Sequence, residues 1–276
     1  MKKLILMAAM VAVTAITTAT AQELDRHSRD YSSLLPQKGD LATGIDLAGA
    51  AKFIGNSFAD NKAEGNAITP FGGANFFAKY FIADNIALRA RLGFGVTNIT
   101  NREFVVDDAA YALDPMTPKE VTDAYKTSEK SFDLGVGIEF RRSLRRVQGY
   151  AGAELFIGTL SEKHSYEYGN AITQTNQNPT SYWGGYGERD LEEKMSGVRG
   201  GLSIFTGVDY FISRNVSMGF EFGLTGYGTS IRPVSLTTEM WDTVTNAYKK
   251  ETDETNPKQG RFDIAPTAGL NMMFYF

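Results

Sequence analysis

Apolar and polar residues alternate with a period of two along much of the chain, which is how an extended strand with two unlike faces is written. From Ile86, the residues Leu88, Ala90, Leu92, Phe94 and Val96 share one face. Ala87, Arg89, Arg91, Gly93, Gly95 and Thr97 share the other. Leu134, Val136, Ile138 and Phe140 alternate with Gly135, Gly137, Glu139 and Arg141. Leu202, Ile204, Thr206, Val208 and Tyr210 alternate with Ser203, Phe205, Gly207 and Asp209. Val216, Met218, Phe220, Phe222 and Leu224 alternate with Ser217, Gly219, Glu221, Gly223 and Thr225. The pattern predicts eight strands, at about 40–55, 66–82, 86–101, 131–142, 147–160, 198–212, 216–232 and 260–276. Each exceeds the ~9–11 residues that a tilted strand needs to cross a bilayer.

The connections alternate in length. Ala83-Asp84-Asn85, Ser143 to Arg146 and Ser213-Arg214-Asn215 are short, whereas 56–65, 102–130, 161–197 and 233–259 are longer. Structureless loops this long are uncommon in a compact soluble domain. Short turns at one end and long loops at the other are the pattern of a membrane barrel, with the short turns periplasmic. The predicted fold is therefore all-β, a closed antiparallel up-and-down barrel with long extracellular loops. Phe77, Tyr80, Phe81, Phe140, Tyr210, Phe211, Phe274, Tyr275 and Phe276 lie near the short turns, where an interfacial aromatic girdle is expected. Pro70 and Pro266 fall inside proposed strands and predict bulges or strand parts above the bilayer.

The N-terminus changes the picture of the whole. Lys2 and Lys3 precede an apolar run from Leu4 to Ile16, and Ala19-Thr20-Ala21 is a small-x-small site. Residues 1–21 are read as a signal peptide cleaved after Ala21, residues 22–39 as a short periplasmic segment, and 40–276 as the barrel. The mean hydropathy is −0.24, which conceals alternating strands and does not fit a helical membrane protein. A net charge of −4 argues against a nucleic-acid partner. The absence of cysteine excludes disulfides, thiolate metal sites and cysteine nucleophiles.

One hairpin occurs twice. Tyr80-Phe81-Ile82-Ala83-Asp84-Asn85-Ile86 matches Tyr210-Phe211-Ile212-Ser213-Arg214-Asn215-Val216, and Gly93 then corresponds to Gly223. The chain ends with Leu270, Met272, Phe274 and Phe276 on one face. On these residues, from about Asp40 to Phe276, the sequence resembles the small outer-membrane barrels that include OmpA-like transmembrane domains and the OmpX-like and OmpW-like proteins. The resemblance implies that Leu270, Met272, Phe274 and Phe276 act as the signal read by the barrel-assembly machinery. It also implies contact with outer-membrane lipid and lipopolysaccharide, and a lumen crossed by ion pairs. A downstream peptidoglycan-binding domain, and with it a wall-tethering role, is not expected.

If the apolar faces meet lipid, the opposite faces line the interior. Asp46, Lys79, Arg89, Arg91, Glu139, Arg141, Glu154, Arg199, Asp209 and Glu221 are then expected inside or near its mouths, because charges cannot face hydrocarbon cheaply. An eight-stranded barrel is just wide enough for side chains to fill it. Paired charges predict a plugged scaffold; a gated path for ions or small solutes is the alternative. Luminal glycines such as Gly93 and Gly95 would leave room for bulky neighbours.

The loops hold the other candidates. Tyr166, Tyr168, Tyr182, Trp183 and Tyr186, with Gly184, Gly185 and Gly187, resemble a binding loop of rigid aromatics on adaptable backbone. Trp241 belongs to the last long loop. An extracellular ligand is the partner this composition suggests. Asp107, Asp108, Asp114, Glu120 and Asp123 make the second loop acidic, so a divalent cation bridging loops or lipopolysaccharide is conceivable. The histidines are His27 and His164. A lipid-modifying enzyme with a serine–histidine site at the outer rim would need a serine beside His164, but adjacent Ser165 points to the opposite face of an extended chain, and Ser161 is no better aligned. His164 is read as a solvated loop residue, and neither metal nor cofactor is expected. The leading function is non-enzymatic: envelope integrity, or binding through the loops.

Overall fold

The computed structural model describes residues 34–47, 74–255 and 258–276. The predicted signal peptide, its cleavage after Ala21, His27, Pro70 and parts of the first two predicted strands lie outside these residues. The strands are β1 (Leu41–Asp46), β2 (Ala74–Ala83), β3 (Ile86–Val106), β4 (Glu120–Leu144), β5 (Val147–Glu167), β6 (Glu188–Ser213), β7 (Val216–Ile231), β8 (Val234–Asp242), β9 (Ala247–Thr255) and β10 (Gln259–Tyr275). One short helix, α1 (Asp108–Leu113), follows β3.

Eight of these strands form a ring. β1 pairs with both β2 and β10, neighbours pair antiparallel from β2 through β7, and β7 pairs with β10. The two-residue turns Asp84-Asn85, Arg145-Arg146 and Arg214-Asn215 close the hairpins at one end, with Arg145 at φ 57°.

The strand ends differ from the sequence expectation at the opposite end. β3, β4, β5 and β6 run well beyond the predicted 86–101, 131–142, 147–160 and 198–212. Their outer parts carry polar residues on both faces, interrupted by a few apolar ones such as Phe104 and Val106, so alternation fades although the ladder continues: Val106 still pairs with Glu120, and Ser165 with Glu192. The expected 233–259 loop is in fact the β8–β9 hairpin. It continues the β7–β10 pair past Arg232-Pro233, where proline has no N–H to donate. β8 also pairs with the top of β6.

Pro266 sits within β10 opposite Leu224. β1 reaches only to Asn271 of β10, so among the described residues Pro266 stands at an edge that asks nothing of its missing N–H.

The alternation has the consequence expected of a transmembrane barrel. Leu88, Leu92, Phe94, Leu134, Val136, Leu155, Ile157, Ile204, Phe222 and Leu270 point out and are exposed, forming an apolar belt. Charged and aromatic side chains point in. The expected girdle holds only in part. Tyr80, Phe140, Tyr210, Phe274 and Phe276 face outward, but Phe81, Phe211 and Tyr275 turn inward and Phe77 packs against them. Successive residues of a strand face opposite sides, so Tyr210-Phe211 and Phe274-Tyr275 must divide between lipid and lumen. With Ala42, Ala87 and Met273, the inward rings form an apolar plug at the short-turn end, and Phe81, Phe211 and Met273 are wholly buried.

Candidate functional site

The lumen above the plug holds a column of ion pairs. Lys79 (β2), Arg89 and Arg91 (β3), Arg141 (β4) and Arg199 (β6) meet Asp133 and Glu139 (β4), Glu154 (β5), Asp209 (β6) and Glu221 (β7), with Asp46 (β1) buried in the same lumen. Nearest the plug, Arg141 bonds Asp209, bonds Glu139 at 2.5 Å and donates to Gln148 at 2.7 Å. Lys79 reaches the other Glu139 oxygen at 3.0 Å. Arg89 touches three carboxylates from three strands: Glu139 at 3.4 Å, Glu154 at 3.2 Å and Glu221 at 2.6 Å. Arg91 bonds Glu154 at 2.6 Å. Arg199 and Asp133 pair at 2.6 Å toward the long-loop end. Asp46 accepts from Asn75 at 3.4 Å.

Aromatic faces complete the setting. The Arg89 guanidinium lies between the rings of Phe77 and Phe205, 4.6 and 4.4 Å from their centres. Arg141 lies over Tyr150 at 4.9 Å, and Tyr150 donates to Glu221 at 3.0 Å. Burying charge is costly unless each ion is paired, and each of these cations lies within 3.4 Å of a carboxylate oxygen. Glycines supply the room: a side chain on Gly135 would strike the Glu154 carboxylate, and one on Gly207 would strike the Tyr150 ring. A cavity of about 50 Å³ remains beside Arg89, Asn271 and Ser203, space for a few waters.

All ten charged residues singled out in the sequence line this interior. Asp133 joins them without having been singled out, although it shares the face of Gly135, Gly137 and Glu139 and that parity marks it. Asn75, Gln148, Tyr150 and Phe205 also belong to the network, and a neutral side chain gives no reason in sequence to expect it there.

The second site lies at the long-loop end, on the upward continuation of the luminal face. His164 stands in β5, half-buried, and is not the solvated loop residue that the sequence suggests. Its Nδ1 lies 2.6 Å from the Tyr125 hydroxyl and 3.3 Å from that of Thr127. Its Nε2 lies 2.9 Å from Glu162. The Tyr125 ring stacks on His164 at 5.6 Å and packs against Tyr166 at 5.0 Å and Trp183 at 6.0 Å. Tyr182 meets Trp183 edge-on, Tyr166 stacks on Tyr168, and Arg189 lies 4.1 Å over Tyr168. The structure thus gathers Tyr166, Tyr168, Tyr182 and Trp183 and adds Tyr125 and His164. Tyr186 stays apart at 92% exposure, and Trp241 sits on β8 opposite Tyr248.

The loop after β5 is held down by acids that the sequence offers as candidates for a cation. Asp123 accepts from the backbone N–H of Gly169 at 2.8 Å and of Tyr182 at 2.9 Å. Asp108 accepts from Thr180 N and Asn176 Nδ2, both at 2.7 Å. Burial alone would raise the Asp108 carboxyl, but the hydrogen bonds from Thr180 and Asn176 outweigh it and hold it below its ordinary range. Asp107 caps α1 through Ala110 N at 3.0 Å. These carboxylates are engaged as acceptors for backbone and amide donors, and among the described residues no three acidic or histidine side chains converge on a metal-sized space. Burial raises the Tyr168 hydroxyl well above its ordinary value and raises Tyr166 in the same sense.

No family model matches the chain, and no curated protein matches it. Among solved structures it is similar to the outer membrane protein OprG from Pseudomonas aeruginosa, at 11% identity and TM-score 0.38, over 88% of this chain and 98% of that one. It is also similar to a major outer membrane protein from Thermus thermophilus, at 12% identity and TM-score 0.38, over 87% and 100% of the two chains. A third is CarO2 from Acinetobacter baumannii, at 12% identity and TM-score 0.30, over 87% and 100%.

Proposed function

We propose that this chain is a closed, non-enzymatic outer-membrane barrel that acts at its long-loop end, binding an extracellular ligand through the Tyr125–His164–Tyr166–Trp183 surface. The observation that carries the reading is the lumen. Arg89 ties β4, β5 and β7 together over an apolar plug, so the barrel is a rigid stalk and its variable chemistry lies above the membrane. Outer-membrane placement is supported by the exposed belt and the turn–loop asymmetry. The signal peptide predicted from the sequence, and the terminal Leu270, Met272, Phe274 and Phe276 on the outward face, are consistent with export followed by insertion through the barrel-assembly machinery. A non-enzymatic role is favoured by His164: its nearest hydroxyl belongs to Tyr125, held within an aromatic stack, and among the described residues no serine hydroxyl addresses it.

The test is single-channel conductance of refolded protein in planar bilayers, beside a Glu139→Ala/Arg91→Ala variant. A silent wild type, shown folded by its heat-dependent gel shift, is expected. Discrete steps that change in the variant would replace this reading with a narrow channel lined by the same charges.

A further inference from the structure

The outside of the barrel is not uniform. Between β5, β6, β7 and β10 a groove of about 640 Å³ is cut into the lipid-facing surface, within the ~300–1,000 Å³ of ordinary ligand sites. Its floor is glycine: Gly200, Gly226 and Gly228 occupy outward positions, and Leu155, Phe262 and Ile264 form walls. The absence of side chains on adjacent strands is concerted. Gly200 lies directly opposite Gly228, and Gly226 stands two residues below it on β7.

Directly above the groove the outward face turns basic. In one row, Lys130 pairs with Ser161 and Ser161 with Ser196, and Arg232 continues the row through its N–H to Ser196 O at 2.9 Å. In the next row Ser128 pairs with Lys163, Lys163 with Lys194, Lys194 with Ser235 and Ser235 with Glu254, so three bases and one acid share the two rows beside Arg232. Lys130, Lys194 and Arg232 are exposed and make no ion pair among the described residues, whereas Lys163 pairs with Glu192 at 2.6 Å. The row of Ser196 lies four residues above Gly200, roughly 13 Å along the strand at ~3.3 Å per residue. Basic groups and hydroxyls at that height fall in the headgroup layer of a bilayer whose hydrocarbon covers the belt.

The geometry points to a specific site for a phosphorylated glycolipid of the outer leaflet, of the lipid A type. One acyl chain lies along the Gly200–Gly226–Gly228 groove, and a sugar phosphate is held by Lys194 and Arg232 with Lys130 and the serines beside them. Charge complementarity selects the anionic headgroup, and the glycine floor distinguishes a chain-sized slot from ordinary annular contact. The site rests on the barrel crossing the membrane with its long loops outward. It is independent of whether the lumen conducts.

The test uses the full mature barrel refolded in detergent, with lipid retention read by native mass spectrometry against bisphosphorylated lipid A, dephosphorylated lipid A and phosphatidylethanolamine. Two variants accompany it. Lys194→Gln/Arg232→Gln removes the headgroup contacts. Gly226→Leu/Gly228→Leu fills the groove; a Cβ at Gly226 meets only the Phe262 ring at 3.4 Å and one at Gly228 meets only Arg261 O at 4.0 Å, so both positions accept a side chain directed outward. The wild type should retain bisphosphorylated lipid A in preference to the other two. The charge variant should weaken it about 25-fold, at roughly fivefold per charge. The groove variant should lose the preference while keeping its heat-dependent gel shift. Equal retention of the dephosphorylated lipid, or an unchanged preference in either variant, would overturn the site.

Discussion

Arg89 donates to both oxygens of Glu221, at 2.6 and 3.1 Å, although the two residues stand on β3 and β7 on opposite sides of the ring. The pair is the span that crosses the lumen, and the same guanidinium is clasped by Phe77 and Phe205. Removing one partner of a buried pair leaves the other charged and unsolvated, which costs about 3–5 kcal/mol, whereas replacing both by apolar groups is far milder. Arg89→Leu should therefore lower the urea midpoint of the refolded barrel strongly, because Glu139 and Glu154 also lose a partner. Arg89→Leu/Glu221→Leu should recover part of that loss. Equal midpoints for wild type and Arg89→Leu would show that the column contributes nothing to the stalk.

Tyr210 and Phe211 are neighbours in sequence and belong to different phases. Tyr210 faces lipid at 51% exposure, and Phe211 is wholly buried in the plug against Tyr275, with ring centres 5.2 Å apart. Phe211→Ala should destabilise by about 3–5 kcal/mol, the ordinary cost of emptying a packed aromatic site. Tyr210→Ala should change the unfolding midpoint little. Similar shifts for the two substitutions, measured by urea unfolding in the same detergent, would contradict the inward assignment of Phe211.

The same pair shows what could be read from sequence. Within the belt, hydrocarbon demands an apolar residue at every second position, so the faces of Ile86 to Val96 or Val216 to Leu224 are plain, and with them the inward place of Arg89 and Glu221. Aromatics near the turns are ambiguous because both the interface and the plug accept them, and strict alternation applied to Tyr210-Phe211 is what resolves them. Above the belt neither face is forced to be apolar. The outer half of β4 with its Tyr125, the β8–β9 hairpin and the meeting of Tyr125 with His164 are for that reason invisible in the pattern. They depend on register between strands, which no single strand encodes.

Asp123 is fully buried and holds two amides of the loop after β5, those of Gly169 and Tyr182. Asp123→Ala leaves both N–H groups without an acceptor, at roughly 1–3 kcal/mol each if they stay buried. The loop is expected to lift and expose that backbone. Limited proteolysis should then cut between 170 and 186 faster in the variant, while the heat-dependent gel shift of the barrel stays as in the wild type. Unchanged cleavage would mean that Asp108, with Asn170 donating its amide to Val106 O and Thr180 O at 2.7 and 2.9 Å, holds the loop without it.

Glu239 engages two partners from different strands, Arg189 of β6 at 2.7 Å and the Tyr248 hydroxyl of β9 at 2.7 Å. Burial, then the bond to Glu239, pushes the Tyr248 hydroxyl up to about 12. A raised value in the folded state means that the protonated phenol is the stabilised form. Its contribution is whole below the ordinary tyrosine value of ~10 and is lost as pH climbs through about 12. Subtracting the tyrosinate absorbance titration of Tyr248→Phe from that of the wild type should isolate one late step near that upper value. Glu239→Gln should move the step down, because a neutral amide no longer opposes the phenolate. A difference curve centred at the ordinary tyrosine value would mean that Tyr248 does not donate to Glu239 in solution, and that the β8–β9 hairpin is fastened to β6 by the backbone ladder and Arg189 alone.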